Sequence, residues 1–146
     1  MIVLAQTPGQ RQLLVEYLAN RLQTTIPDLI GNLSYDVALV MRQGAMRGAV
    51  LYTDYRGIDV EMKVAGEPGF ITRRAVRESV GYAFAVLGVR RLTANVHRRN
   101  KAARQLCERV GFKFEGVKRQ AAPKGGDIVL YGMTEKEWRN GPVFKA

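Results

Sequence analysis

Two stretches of the chain carry residues whose types and spacing suit them to hold an anion beside a reacting centre. The first runs from Asn100 to Phe112. It follows a strand-like segment directly, and an asparagine there answers the orphan N–H groups of a helix start, where anionic groups also prefer to lie. Ala103 is small where something must come close. Leu106 and Val110 add apolar positions at helical spacing, and Gly111 supplies the left-handed residue that ends a helix before Phe112 returns to the core. The second stretch is Gly66 to Arg74, where the chain leaves a strand through a glycine-containing loop and enters a helix. Free backbone N–H groups at the positive end of a helix dipole bind phosphate.

Composition narrows what this chemistry can be. The 146 residues suit one domain spanning 1–146, with 47% hydrophobic and 25% charged residues, the balance of a globular chain. One cysteine cannot form an internal disulfide, and with a single histidine it offers no cluster at metal-ligand spacing, so no metal is expected. No run approaches the roughly 20 apolar residues of a membrane span, and the amino terminus lacks a basic, then apolar, leader. No membrane association and a cytoplasmic location are therefore expected. Twenty-three basic against thirteen acidic residues give a net charge of +10, which favours nucleic acid, acidic protein or a polyphosphorylated ligand as partner.

The elements that must position these stretches read as an ordered series. Leu14, Leu18 and Leu22 mark an amphipathic helix over 10–23 after a short strand at Met1 to Ala5, and Thr24 to Leu33, with Pro27 and Gly31, reads as a loop with at most one helical turn. Tyr35 to Arg42, Arg47 to Asp54 and Ile58 to Ala65 form an antiparallel meander. In its third strand Ile58, Val60, Met62 and Val64 alternate with Asp59, Glu61 and Lys63, so one face is apolar and the other polar. Thr72 to Leu87 is helical, with Gly88 closing it, and Leu92, Ala94 and Val96 make the next strand. Strand, helix, strand over this distance implies a right-handed crossover between parallel neighbours, so the sheet is mixed. Phe112 to Lys118 and Asp127 to Met133 are a last strand pair, and Thr134 to Glu137 starts a final helical turn.

The Asn100 segment matches the motif Asn-x-x-Ala/Ser-x-x-Leu-Tyr-x-x-x-Gly-Phe at Asn100, Ala103, Leu106, Gly111 and Phe112, with Cys107 in the tyrosine's place. In this the chain resembles the GNAT superfamily of acyl-CoA-dependent N-acyltransferases. From about Ile58 to Trp138 the resemblance is nearest the ribosomal-protein-alanine acetyltransferase branch, through Tyr82 to Phe84, Gly88 to Leu92, Glu115, Gly116, Asp127 and Tyr131 to Met133. It implies an α/β fold of the GNAT kind: a central, mostly antiparallel sheet with one parallel strand pair, flanked by helices. It also implies acetyl-CoA as cosubstrate.

By this resemblance the pantetheine arm lies along the third meander strand, bonding backbone at Lys63, Val64 and Ala65, with Asn100 and Ala103 on its other side. The family's Arg/Gln-x-x-Gly-x-Gly/Ala pyrophosphate loop survives here only at Gly69, so the amides of Phe70, Ile71, Thr72 and Arg73 are left to cradle the diphosphate, with charge from Arg73, Arg74 and Arg77. Acyl transfer to an amine needs a neutral nucleophile, a stabilised oxyanion and a departing sulfur. Glu61 and Asp59 are the base candidates, the alternative being ordinary exposed carboxylates. A backbone N–H near Val64 is the oxyanion donor. Tyr131 or Cys107 stands in for the family's acid, although Cys107 also reads as a small buried apolar residue and Asn100 as a plain helix cap.

Two functions remain open at this point. The first is an acetyl-CoA-dependent N-acetyltransferase working by direct transfer to the primary amine of a protein or small molecule. The second is a non-catalytic coenzyme A- or nucleic-acid-binding module on the same scaffold, favoured by the altered loop and the missing tyrosine. The charge of +10 argues against a cationic acceptor unless the groove is locally acidic. A homodimer follows by analogy with relatives that pair through sheet edges.

Overall fold

The computed structural model describes residues 1–31 and 34–145. Seven strands form one sheet in the order β1-β2-β3-β4-β5-β7-β6. The meander comprises β2 (Asp36–Arg42), β3 (Ala45–Thr53) and β4 (Asp59–Gly66), with β1 (Ile2–Leu4) added outside β2. The other half holds β5 (Arg91–His97), β7 (Ile128–Thr134) and, at the edge, β6 (Lys113–Lys118). All neighbours are antiparallel except β4 and β5. The mixed sheet inferred from the crossover pattern is present.

The parallel pair is short. Only Asp59, Val60 and Glu61 of β4 find partners, in Arg91, Leu92 and Thr93 of β5. Beyond them β4 continues to Gly66 on β3 alone, and β5 continues to His97 on β7 alone. The two strands part into a wedge whose inner edges carry backbone groups with no strand between them.

Helices cover both faces. α1 (Pro8–Arg21) and α2 (Ile26–Ile30), capped by Thr7 and Thr25, bury Leu14, Val15, Leu18 and Leu29 against Val37, Ala49 and Leu51. The segment that reads as a loop thus contains one short helix, while Asn32 and Leu33 lie outside the described residues. On the opposite face α3 (Arg73–Gly81), α4 (Lys101–Val110), α5 (Glu135–Asn140) and α6 (Pro142–Lys145) enclose the larger core of Val50, Tyr52, Val60, Leu92, Tyr131 and Met133. The expected helix from Thr72 to Leu87 changes character at Tyr82. A π turn over Tyr82–Val86, in which Leu87 N–H reaches the Tyr82 carbonyl at 3.0 Å, sets Phe84 in a stack with Trp138 and directs the Tyr82 hydroxyl to Asp36. Helix α6 has no counterpart in the sequence reading; it closes the core with Val143 and an edge-on Phe144 against Trp138.

One expectation about β4 fails. Its polar face is covered by the α1–α2 layer, so Glu61 is only 9% exposed and cannot be an ordinary surface carboxylate.

Candidate active site in the split sheet

A cavity of about 500 Å³ runs through the wedge from one face of the sheet to the other. Its apolar end lies between Met62 and Val64 of β4, Ala94 and Val96 of β5, and Ala103, Leu106 and Cys107 of α4. Backbone direction there follows from the hydrogen bonds below the split. The Ile58 carbonyl accepts from Arg91 N–H at 3.1 Å, and strand groups alternate sides every residue. Val60, Met62 and Val64 therefore turn their N–H and C=O groups towards β5, and past Glu61 nothing from β5 meets them. Lys63 and Ala65, paired with Leu51 and Ala49, turn theirs towards β3. Of the three residues assigned backbone bonding by resemblance, only Val64 presents a free edge, and Met62 joins it.

Two helix starts point at this end. Thr72 caps α3 by accepting from Ala75 N–H at 3.1 Å, and Asn100 caps α4 by accepting from Ala103 N–H at 3.1 Å. Asn100 is thus a helix cap that also lines the cavity. Before α3 the loop is held by a ring. Gly48 and Gly66 are register partners on β3 and β4, and a Cβ on either would come within 2.4 Å and 2.6 Å of the Phe70 ring. Their lack of side chains is what seats Phe70, and Gly69 at φ +78° makes the turn into it. The Phe70 amide is already bonded to the Glu67 carbonyl at 3.0 Å, which removes it from the expected phosphate cradle. Thr72 and the first helical amides, of Arg73 and Arg74, remain, since nothing precedes them in the helical ladder.

The arginines divide unequally. Arg74 is taken by Glu78 at 2.7 Å, one helical turn on, so its assignment to the diphosphate is weakened. Arg73 faces a second cavity of about 620 Å³ together with Arg109, and Ile71, Val76, Leu106 and Val110 line both cavities. Arg109 escaped the sequence reading. Its spacing of three from Leu106 placed it on that helix face, and this was the available signal.

The other end of the cavity is polar. Glu61 accepts from Lys63 Nζ through Oε2 and from Asn95 Nδ2 through Oε1. Thr53 Oγ1 lies 3.4 Å from Glu61 Oε2, and Lys63 Nζ also donates to Thr53 Oγ1 and to the Leu29 carbonyl, each at 3.4 Å. Because a carboxylate only accepts, the Asn95 amide is oriented, and its buried Oδ1 is left with no partner among the described residues. Asp28 and Asp54 line the same end, neither carboxylate paired among the described residues. Asp59 belongs elsewhere. It accepts from Thr93 Oγ1 at 2.7 Å and faces Arg91 at 3.4 Å, below the split, so of the two carboxylates only Glu61 reaches the cavity.

The acid candidates also separate. Cys107 lines the apolar end, and burial, with a contribution from Glu108, pushes its thiol up to about 11. It is half-buried beside the cavity rather than sealed in the core. Tyr131 is fully buried, its hydroxyl 3.4 Å from Arg104 Nε and 3.5 Å from Glu108 Oε1, and it is not on the cavity wall. His97 accepts from Arg99 N–H at Nδ1, which leaves the Nε2 proton for the Gly125 carbonyl at 3.2 Å. Among the described residues no group of three or more His, Cys, Asp or Glu side chains could hold a metal ion, and no helix is long and apolar enough to cross a membrane.

Comparison with known proteins agrees with this architecture. The solved structures it resembles include a point mutant of spermidine N-acetyltransferase SpeG from Vibrio cholerae (TM-score 0.76, 18% identity, 96% of this chain and 98% of that one). A chimera of the Vibrio cholerae enzyme with hSSAT matches at TM-score 0.74 and 19% identity over 96% and 99% of the two chains. A double mutant of the same Vibrio cholerae spermidine/spermine N-acetyltransferase matches at 0.74 and 17% over 95% and 96%. These likenesses establish the fold; none assigns the chain to the ribosomal-protein branch. The family described as the acetyltransferase (GNAT) domain matches residues 8–113, most of the chain, and with the split sheet and the Asn100 helix in place, this protein belongs to the GNAT N-acetyltransferases, which act on amines.

Proposed function

We propose that the protein transfers an acetyl group from acetyl-CoA directly to the primary amine of a small cationic acceptor, with Glu61 as base. The observation that carries this reading is the continuity of one cavity from the free β4 edge at Val64 to the Glu61 carboxylate. Acetyl-CoA, when bound, supplies the thioester.

The chain's own groups do the rest. The Val64 backbone turned into the split can bond the pantetheine amides as an added strand would, and one of these N–H groups is aimed at the oxyanion position. Amides at the α3 start, with Arg73 and Arg109, suit the phosphates. Glu61, held by Asn95 and Thr53, takes a proton from the arriving ammonium, which at an unperturbed pKa of about 10.4 is otherwise mostly charged at pH 7. The orphaned Asn95 Oδ1 supplies a second acceptor beside it. A thiol at about 11 is a poor proton donor to a departing thiolate whose own conjugate acid lies near 8.5, so Cys107 acts as packing for the arm and solvent protonates the leaving sulfur.

Asp28, Asp54 and Glu61 make the acceptor end acidic within a chain of net charge +10, the condition under which a cationic acceptor is admitted. The solved structures it resembles are spermidine acetyltransferases, which supports the same class. The test is acetyl-CoA thiol release against a panel of amines, spermidine included. Saturable thermal stabilisation by acetyl-CoA with no acceptor-dependent release would instead identify a coenzyme-binding module.

A further inference from the structure

The acceptor end of the cavity already contains an amine. Lys63 Nζ contacts the carboxylate proposed as base, and two further acceptors, Thr53 Oγ1 and the Leu29 carbonyl, fix it there at 3.4 Å each. Lys63 also projects from the strand whose next residue, Val64, borders the thioester slot, so its side chain and the slot share one stretch of backbone. Lys118 is the other lysine on the cavity wall; it is exposed and makes no contact with Glu61.

We infer that Lys63 is itself an acetyl acceptor, so that the protein acetylates its own Lys63 when acetyl-CoA is present and free amine is scarce. The inference rests on the acetyltransferase reading. In the step, the Lys63 ammonium gives one proton to Glu61, and the neutral nitrogen attacks the thioester carbon. A C–N bond forms, the C–S bond breaks, and the thiolate leaves to be protonated as coenzyme A. The nitrogen loses its second proton to solvent, so one ammonium and one thioester become one amide, one thiol and one proton. The product has no ammonium at Lys63, which releases Glu61 from its ion pair and makes the acceptor end more acidic. A free cationic amine competes for the same carboxylate and suppresses the modification.

The full chain is incubated with acetyl-CoA without amine, and acetylation is mapped by peptide mass spectrometry, with spermidine turnover measured in parallel. Expected is acetyl-Lys63 at least tenfold above the mean of exposed lysines Lys101, Lys118 and Lys124, at a fractional rate independent of protein concentration. Spermidine is expected to lower it, and Glu61→Gln to abolish it in a protein with an unchanged melting curve. Turnover of spermidine without acetyl-Lys63 overturns the inference and leaves the function standing. Labelling of Lys63 no greater than that of Lys118, or labelling that survives in Glu61→Gln, marks chemical acetylation and also overturns it. Absence of both turnover and labelling overturns inference and function together.

Discussion

The two ends of the cavity are built on opposite principles. At the nucleotide end, apolar walls from β5 and α4 and two helix starts leave backbone groups unpaired, and the fixed charges, Arg73 and Arg109, stand outside the slot. At the acceptor end the charges are inside, interlocked around Glu61 and covered by α1 and α2. A coenzyme recognised mainly through backbone tolerates large changes of side chain, which accounts for the loss of the family's glycine-rich loop without loss of the fold. An acceptor recognised through side chains does not have that freedom. The contrast predicts that substitutions at the two ends fail in different ways.

Glu61→Gln has the largest expected effect. It keeps the shape and the Asn95 contact but cannot take a proton, so kcat falls by roughly 10²–10⁴-fold while acetyl-CoA affinity, read by calorimetry, is kept. Loss of coenzyme binding in this variant would erase the separation between the ends. Next, Arg73→Glu weakens acetyl-CoA binding by about tenfold at low salt and much less at high salt, because charge near the phosphates is exposed and screened. Arg74→Glu is the internal control. With its guanidinium already on Glu78, it is expected to shift affinity by less than half as many fold, and an equal loss would refute the division between the two arginines.

At the acceptor end, Asp28→Asn combined with Asp54→Asn raises KM for spermidine by about fivefold, from ~1 kcal/mol for exposed charge pairs, and leaves KM for a monoamine nearly unchanged. The smallest effect is on stability. The Cys107 thiol is raised by burial from 9.0 to about 11, so the folded state holds this proton where the unfolded state has released it. Its contribution is fully present below pH ~8.5 and is lost as pH rises through about 11. Cys107→Ala should therefore flatten the fall in melting temperature over that window, with turnover nearly unchanged.

Legibility in the sequence follows the range of the interactions. Helix α4 could be read completely because its cap, its apolar stripe and its terminating glycine all lie within Asn100 to Gly111. The alternation in β4 placed Val60, Met62 and Val64 in the core but said nothing of what covers the other face, which is set by α1 and α2 from forty residues earlier; hence Glu61 read as half exposed. The loop after β4 was legible at Gly69, where a turn demands a left-handed residue. It was illegible at Phe70, whose place depends on Gly48 across a strand pairing. Tyr131 was misplaced as an acid for a related reason: β7 pairs with β5, so Tyr131 lies opposite Ala94 and under α4, and its hydroxyl ends at Glu108.

The aromatic ring docked over Gly48 and Gly66 has a thermodynamic consequence. A phosphate-binding segment that becomes ordered only when its ligand arrives spends part of the interaction energy on lost chain freedom. Here that freedom is surrendered when the chain folds, because Phe70 anchors the segment to a rigid strand pair before any nucleotide is present. Association with the coenzyme should then resemble insertion into a finished socket, fast and with little backbone rearrangement.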